Sequence, residues 1–323
     1  MKFDIDIMKK DVSMNAKRAH GQFYTKGNPF ALRVFQNWAK KASLSERRIL
    51  EPFAGANNII HTLGDMGLVS DFAAYDLMPA SRDVKKRDTI KNFPKGFDIC
   101  ITNPPWLARN SATRRGLSFP ACQYDDLYKH CLELCLHHCP YVAALLPASY
   151  LQSGLFRERL QTYILLHKII FDDTENPVCL ALFGENATKD VMIYYDNDYI
   201  GGLNQLEKNT PKTQAGSKIR FNDPAGALGF ISFDNTKGPS IRFCDVKEIE
   251  AYPIKVSSRF ITRISGEFGN VTKLIKTLNK QLGVYRDKTK DVFLTPFKGI
   301  REDGAYRRRM EFHLARELIH ATQ

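Results

Sequence analysis

The sequence predicts an α/β fold. A mostly parallel sheet with helices on both faces is expected over residues 1–200, followed by a smaller basic domain over residues 201–323. Three observations predict it. Short apolar runs alternate with helix-period segments between residues 48 and 146. Two of those runs end on a carboxylate, and a third runs directly into Asn103-Pro104-Pro105-Trp106. Beyond a polar stretch at 201–218 the alternation stops and positive charge accumulates.

The elements follow in order. Arg48-Ile49-Leu50-Glu51 reads as a strand ending on Glu51, followed by a Gly-containing turn and a helix. Residues 71–76 form a second strand ending on Asp76, and residues 97–102 a third that leads into Asn103. Residues 124–138 have helical periodicity, residues 141–146 read as a further buried strand, and a helix is expected over 148–165. In folds of this kind ligands bind outside the carboxyl ends of the strands, near a reversal of strand order. Glu51, Asp76 and the Asn-Pro-Pro segment would share that edge. Residues 178–183 and 190–195 read as a hairpin, and GGLNQLEKNTPKTQAGSK at 201–218 suits a linker or mobile loop. Residues 307–322 carry a helical period at the end of the basic domain.

Composition narrows the class. Hydrophobic residues at 43% and charged residues at 25% are ordinary for a globular chain and argue against disorder or a fibre. No apolar run approaches the roughly 20 residues that span a bilayer. The N-terminus lacks the apolar segment of a secretory signal. A soluble cytoplasmic protein without a membrane partner is expected. The formal net charge is +12. Residues 200–323 hold 22 Lys and Arg against 13 Asp and Glu, leaving 25 against 22 for the rest, so most of the surplus is C-terminal. A polyanionic partner is expected there.

The seven cysteines show no disulfide framework. Cys131, Cys135 and Cys139 share one helix face. His130, His137 or His138 would join them in a metal reading. Metal sites usually draw ligands from several elements. Buried thiols facing a sheet are the simpler reading, and no metal is expected.

Asn103-Pro104-Pro105-Trp106 is the segment with most chemistry. Its prolines remove two N–H donors and fix two φ angles, so the carbonyls are rigid and point outward. Rigid acceptors suit methylation of an aromatic amine, whose lone pair is delocalised into the ring. The Asn103 side-chain oxygen and the Pro104 carbonyl would bind the two N–H groups and stabilise the charge that builds on nitrogen. Trp106 would supply a stacking surface. The plain alternative is an Asn-Pro turn closing a strand, with Trp106 in the core.

Taken in order, the segments over residues 18–200 resemble the DNA adenine-N6 methyltransferases of the γ arrangement, with the NPPW form of the catalytic motif. His20-Gly21-Gln22-Phe23-Tyr24-Thr25, Glu51-Pro52-Phe53-Ala54-Gly55-Ala56-Asn57, Asp76 and Asp88-Thr89-Ile90 look like that family's cofactor motifs. Leu145-Leu146-Pro147-Ala148-Ser149-Tyr150-Leu151 matches a strand-to-helix segment, and Cys179-Leu180-Ala181-Leu182-Phe183 a hairpin that completes the base pocket. The resemblance implies a Rossmann-like class I methyltransferase sheet, S-adenosyl-L-methionine as cofactor and double-stranded DNA as partner. Thr25 would touch the methionine part of the cofactor, and Glu51, Phe53 and Gly55 would form the turn beside it. Asp76 would accept from the ribose hydroxyls and Asp88 from the adenine amine, with Thr89 or Ile90 against the ring. Phe183 would pack on the flipped base opposite Trp106. Asn57 stands where the family often has glycine, which Asn can replace at left-handed φ. Lys26 stands where proline is frequent, and Trp106 replaces tyrosine or phenylalanine.

A target adenine must leave the duplex to react. The basic domain, with Tyr306-Arg307-Arg308-Arg309 and Arg286-Asp287-Lys288-Thr289-Lys290, is the candidate for holding the duplex. Residues 107–120 read as an exposed basic loop in which Arg109, Arg114 and Arg115 would touch DNA, and an ordinary loop remains the alternative. The expected protein is a monomer on DNA and the modification enzyme of a restriction-modification system, with a cognate restriction endonuclease implied only by the resemblance. An RNA adenine methyltransferase, a protein glutamine methyltransferase and an inactive nucleic-acid-binding relative stay open. The recognition sequence is not readable from the chain.

Overall fold

Ile49–Glu51, Phe72–Asp76 and Ile99–Thr102 are short runs in which most or all residues are buried. That is the signature of parallel strands covered on both faces. The computed structural model describes residues 28–167, 176–211 and 218–322. The chain divides into two compact units, 1–199 and 200–323.

The first unit is built on a nine-stranded sheet. Its strands are β1 (Ile49–Glu51), β2 (Phe72–Asp76), β3 (Val84–Lys86), β4 (Ile99–Thr102), β5 (Tyr141–Pro147), β6 (Leu160–Leu166), β7 (Val178–Phe183), β8 (Met192–Tyr195) and β9 (Asp198–Gly202). They lie in the order 3-2-1-4-5-7-6-8-9. β1 is parallel to β2 on one side and to β4 on the other. The order therefore reverses beside β1, which opens a crevice at the carboxyl ends of β1 and β4.

Alternation along the strands covers both faces. Ile99, Ile101, Ala143 and Leu145 pack with Phe35 and Trp38 of helix α1 (Arg33–Lys41), and with Ile59 and Leu63 of α2 (Asn58–Asp65). Between β4 and β5 the chain forms α3 (Arg109–Arg114) and α4 (Leu127–His138). Cys100, between Ile99 and Ile101, meets Cys135 of α4 and Cys139 just past it. Cys131, Cys135 and Cys139 are all buried, and desolvation pushes the Cys131 and Cys135 thiols up. The expected α/β sheet with helices on both faces is the observed one.

Two expectations change. The helix expected over 148–165 is a short 3-10 segment, Ala148–Ser153, followed by β6. Gly154, at φ +65°, ends the helical turn, and the β-branched and aromatic residues of LQTYILL then favour a strand. The expected hairpin is also absent. β7 pairs antiparallel with both β5 and β6, and β8 pairs parallel with β6. Every residue of β7 is buried, so it takes the interior place where both its edges are paired.

The second unit contains a four-stranded antiparallel sheet in the order β10 (Arg220–Phe221), β13 (Ile261–Ser265), β11 (Leu228–Ile231), β12 (Arg242–Asp245). The unit also contains a hairpin of β14 (Thr295–Ile300) and β15 (Tyr306–Arg309) and three helices, α5 (Leu203–Glu207), α6 (Val271–Thr289) and α7 (Phe312–His320). Residues expected as linker thus include the end of β9 and all of α5, while 212–217 lie outside the described residues. The helical period read over 307–322 belongs to α7 alone, and Arg307–Arg309 are strand.

Asp234 organises this unit. It is fully buried and receives Arg286 at 2.8 and 2.9 Å, Arg301 at 2.9 Å, and the backbone N–H groups of Ser240, Ile241 and Arg308. Burial pushes its carboxyl up, but Arg286 and the backbone N–H groups of Ser240 and Ile241 together outweigh this and hold it below the usual range. Arg286, expected on a DNA-facing cluster, is therefore an internal ion-pair partner of Asp234 and Asp291.

Candidate active site

The turn after β1 is tied to the end of β2. The Gly55 N–H donates to Asp76 Oδ2 at 2.9 Å, and the Met78 N–H to Asp76 Oδ1 at 2.7 Å. Asn57, the residue before α2, holds φ +64°, the left-handed geometry that asparagine tolerates, and its side chain makes no capping hydrogen bond to the helix. Its Nδ2 donates to Asp83 Oδ2 at 2.6 Å. Burial opposes ionisation of Asp83, but hydrogen bonds from Ser81, Asn57 and His61 hold its carboxyl down to about 2. Past β3, the Thr89 hydroxyl donates to the Pro52 carbonyl at 2.9 Å, and Asp88 accepts from the Lys91 N–H at 3.2 Å.

Glu51 lies under this turn. It is 1% exposed, and its Oε1 accepts from the Thr102 hydroxyl at 2.7 Å and the Phe53 N–H at 3.2 Å. Its Oε2 is buried with no hydrogen-bond partner. Desolvation pushes the carboxyl up to about 8 against the pull of those two donors, so at neutral pH it holds its proton.

These strand ends open on a cleft of 470 Å³. Phe53, Gly55, Asp76, Asp88 and Thr89 line it from the ends of β1, β2 and β3, and Asn103 and Pro105 from the end of β4. Seven of the expected site residues are thus brought together. Glu51 stands behind the lining. Pro104 is buried, and Trp106 packs half-buried against the main core. Thr25 and the segment 20–25 lie outside the described residues.

Phe183 does not fit its expected place. β7 runs against β5, with Val178 opposite Pro147 and Phe183 opposite Val142. Phe183 therefore lies at the edge of the sheet away from Asn103, since β4 and β5 run parallel with Thr102 opposite Ala144. It is fully buried there, and its carbonyl accepts from Trp38 Nε1 at 3.1 Å. A reversed strand carries its last residue away from the edge that holds Asn103, which corrects its expected place against a base there.

The segment 107–120 is a folded wall where an exposed loop was expected. Leu107 and Ala112 are buried with Leu127 and Cys131, and Phe53, Leu117 and Phe119 pack on them. Leu117, Ser118, Phe119 and Pro120 line the cleft. Arg109 braces this wall. It donates to the carbonyls of Cys122 and Tyr124, each at 2.6 Å at closest, and lies 4.4 Å from the Phe119 ring centroid. It is an internal strut, which corrects its expected DNA-facing role, while Arg114 and Arg115 are exposed. Asp126, which the sequence reading missed, accepts from the Leu107 N–H at 3.0 Å and so anchors the end of the Asn-Pro-Pro-Trp segment. Burial pushes its carboxyl up to about 6. An Asp just before an apolar helical run was the available signal.

In the second unit, Arg308 is 3% exposed, which corrects its expected DNA contact. It alternates with Arg307 and Arg309, both half-buried on the other face of β15. Among the described residues, no group of three His, Cys, Asp or Glu side chains is arranged to hold a metal ion. No described helix is long and apolar enough to cross a membrane.

No family model matches the chain, and no curated relative matches it. Solved structures resemble part of it. A modification subunit assigned to a type I restriction enzyme of Vibrio vulnificus shares 14% identity over 59% of this chain and 50% of its own, at a TM-score of 0.39. The type I restriction-modification methyltransferase subunit of Streptococcus thermophilus shares 17% over 60% of this chain and 50% of its own, at 0.40. The M protein of the type I restriction enzyme EcoKI shares 13% over 84% of this chain and 72% of its own, at 0.35. The chain thus spans half the length of the first two. Likenesses this distant carry no functional assignment, and the chemistry of the cleft rests on its own residues.

Proposed function

We propose that the chain is an S-adenosyl-L-methionine-dependent methyltransferase that modifies the N6 amine of a flipped adenine in double-stranded DNA. The observation that carries this reading is the convergence of Asn103 with Asp76 and Asp88 in one cleft at the reversal of strand order. The lining fits the cofactor. Asp76 and Asp88 offer carboxylates to hydroxyl and amine donors, and Phe53, Ile90 and Phe119 offer apolar surface to a flat base. The volume suits a ligand of that size. When bound, the cofactor supplies an electrophilic methyl group, whose transfer to the amine leaves S-adenosylhomocysteine and one proton for solvent.

The protein's share is orientation and charge stabilisation. Asn103 Oδ1 and the Pro104 carbonyl accept the two N–H groups of the amine, directing its lone pair outward and stabilising the growing positive charge. The two prolines keep these acceptors rigid, so little reorganisation precedes reaction. Asp126 holds the far end of the segment through Leu107. Trp106, half-buried against the main core, offers the base the part of its ring that stays exposed. The second unit, with its surplus of nine positive charges over residues 200–323, holds the duplex. The enzyme acts as a monomer and as the modification partner of a restriction endonuclease.

The test is incubation with labelled S-adenosylmethionine and duplex DNA, single-stranded DNA or RNA, followed by mapping of the modified base. Label on DNA adenine is expected. Label on RNA or protein alone overturns the substrate. Asn103→Ala is expected to lower methylation about 100-fold or more while leaving S-adenosylhomocysteine affinity within a few-fold. Full activity in that variant overturns the mechanism.

A further inference from the structure

Three phenylalanines of the second unit stand apart from its core. That core is built around Phe230, Phe243, Leu278 and Leu282, and Phe233, Phe260 and Phe297 are not among the residues packed on it. They pack on one another, with ring centroids 5.5–6.1 Å apart. Phe260 is 40% exposed. Phe233 and Phe297 beside it are half-buried, so the cluster opens to solvent through Phe260.

Two guanidinium groups lie over these rings. Arg307 Cζ is 5.4 Å from the Phe233 centroid and 5.0 Å from that of Phe297, and Arg309 Cζ is 5.9 Å from that of Phe260. Strand pairing builds this arrangement, with Phe297 opposite Arg307 and Phe233 bridged to Arg309. Gly299, between Lys298 and Ile300 of β14, holds φ +94°, a backbone conformation that L side chains rarely adopt. Arg307 is fixed by donating Nε–H to the Asp234 carbonyl at 2.7 Å, and Arg309 by its ion pair with Glu311. Arg259 and Lys298, both exposed, adjoin Phe260 and Phe297 in the chain. Four cations thus accompany three rings, and the carboxylate of Glu311 is already paired with Arg309.

We propose that this patch is a stacking platform for an unstacked base of the DNA strand. The base lies on the exposed face of Phe260 and the outer face of the Arg307 guanidinium, and Arg259 and Lys298 neutralise the flanking phosphates. This rests on the reading of DNA as substrate and identifies where the second unit takes hold of it. The charge decides between partners. A nucleic acid offers flat rings and anionic phosphates together, whereas an apolar protein surface would leave the guanidinium groups of Arg259 and Arg307 without counter-charge.

The test uses the full chain with fluorescein-labelled random-sequence DNA, single-stranded and duplex, read by anisotropy. Phe260→Ala is expected to weaken single-strand binding about 5- to 100-fold. Its thermal midpoint should fall slightly, for the lost contacts with Phe233 and Phe297, and the second unit should stay folded because the side chain is outside the core. Phe260→Trp is expected to retain affinity and to show fluorescence quenched by the single strand beyond the quench of the wild type. Unchanged affinity in Phe260→Ala without extra quench in Phe260→Trp overturns the platform, and leaves the methyltransferase reading standing if the wild type methylates DNA. Failure of the wild type to bind or methylate any DNA overturns both. Loss of self-association in Phe260→Ala at unchanged DNA affinity reassigns the patch to protein contact and overturns the proposal.

Discussion

Replacing Glu51 by glutamine removes an ionisable group from under the cofactor turn at nearly constant shape. The Thr102 hydroxyl and Phe53 N–H keep an acceptor, because both bond to one oxygen that glutamine retains. The other oxygen is buried without a partner, so in the wild type its ionisation is opposed by lost hydration. The carboxyl rises from 4.5 to about 8 in the folded state. A raised carboxyl favours the folded state while protonated, and that contribution is lost as pH rises through the folded value. Wild-type stability should therefore fall between pH 4.5 and about 8, by about 5 kcal/mol at most. Glu51→Gln should lack this slope. It should unfold like the wild type near pH 5 and at clearly higher urea concentration near pH 8.5. Both tryptophans, Trp38 and Trp106, lie in the first unit, so intrinsic fluorescence follows its unfolding specifically. Urea midpoints that differ between the two proteins by the same amount at both pH values would refute the reasoning, since an ionised or solvated Glu51 produces no such window.

Other consequences follow from the same contacts. Arg109→Ala removes the plane over Phe119 and the donors to Cys122 and Tyr124. S-adenosylhomocysteine affinity, measured by calorimetry, should fall several-fold, for a loss of about 1 kcal/mol, and unchanged affinity would remove Arg109 from the cleft wall. Asp234→Ala leaves Arg286 and Arg301 buried without their carboxylate and should cost about 3–5 kcal/mol, seen as increased proteolysis after residue 200 with the tryptophan transition little altered. Phe183→Leu should lower stability by about 1 kcal/mol and leave KM for DNA unchanged. A selective rise in KM would instead restore its role at the base.

Much of the site was legible because its residues end strands that announce themselves. Burial on both faces makes β1, β2 and β4 continuous apolar runs, and the residue after such a run is at the carboxyl edge whatever the rest of the chain does. Gly55, Asp76 and Asn103 are therefore placed by local sequence. Phe183 was misplaced because strand direction is not a local property. VCLALF reads alike in either sense, and only its pairing with β5 and β6 shows that it runs backwards. Arg109 and Arg308 were misread for a related reason. A cation on a small polar segment reads as solvent-facing until the carbonyls of Cys122 and Tyr124, or the two-residue alternation of β15, claim its side chain. Asp126 has its meaning only through Leu107, nineteen residues away.

By itself the sequence determined the alternation of strands and helices as far as β5, the residues at the carboxyl ends of those strands and the basic character of the last 124 residues, because periodicity, turn chemistry and charge act over a few neighbouring positions. Only the tertiary structure decided which strands adjoin, which arginines are struts and which are exposed, and that Phe233, Phe260 and Phe297 meet. Those outcomes depend on which distant surfaces bury one another, and no short window of sequence contains both partners.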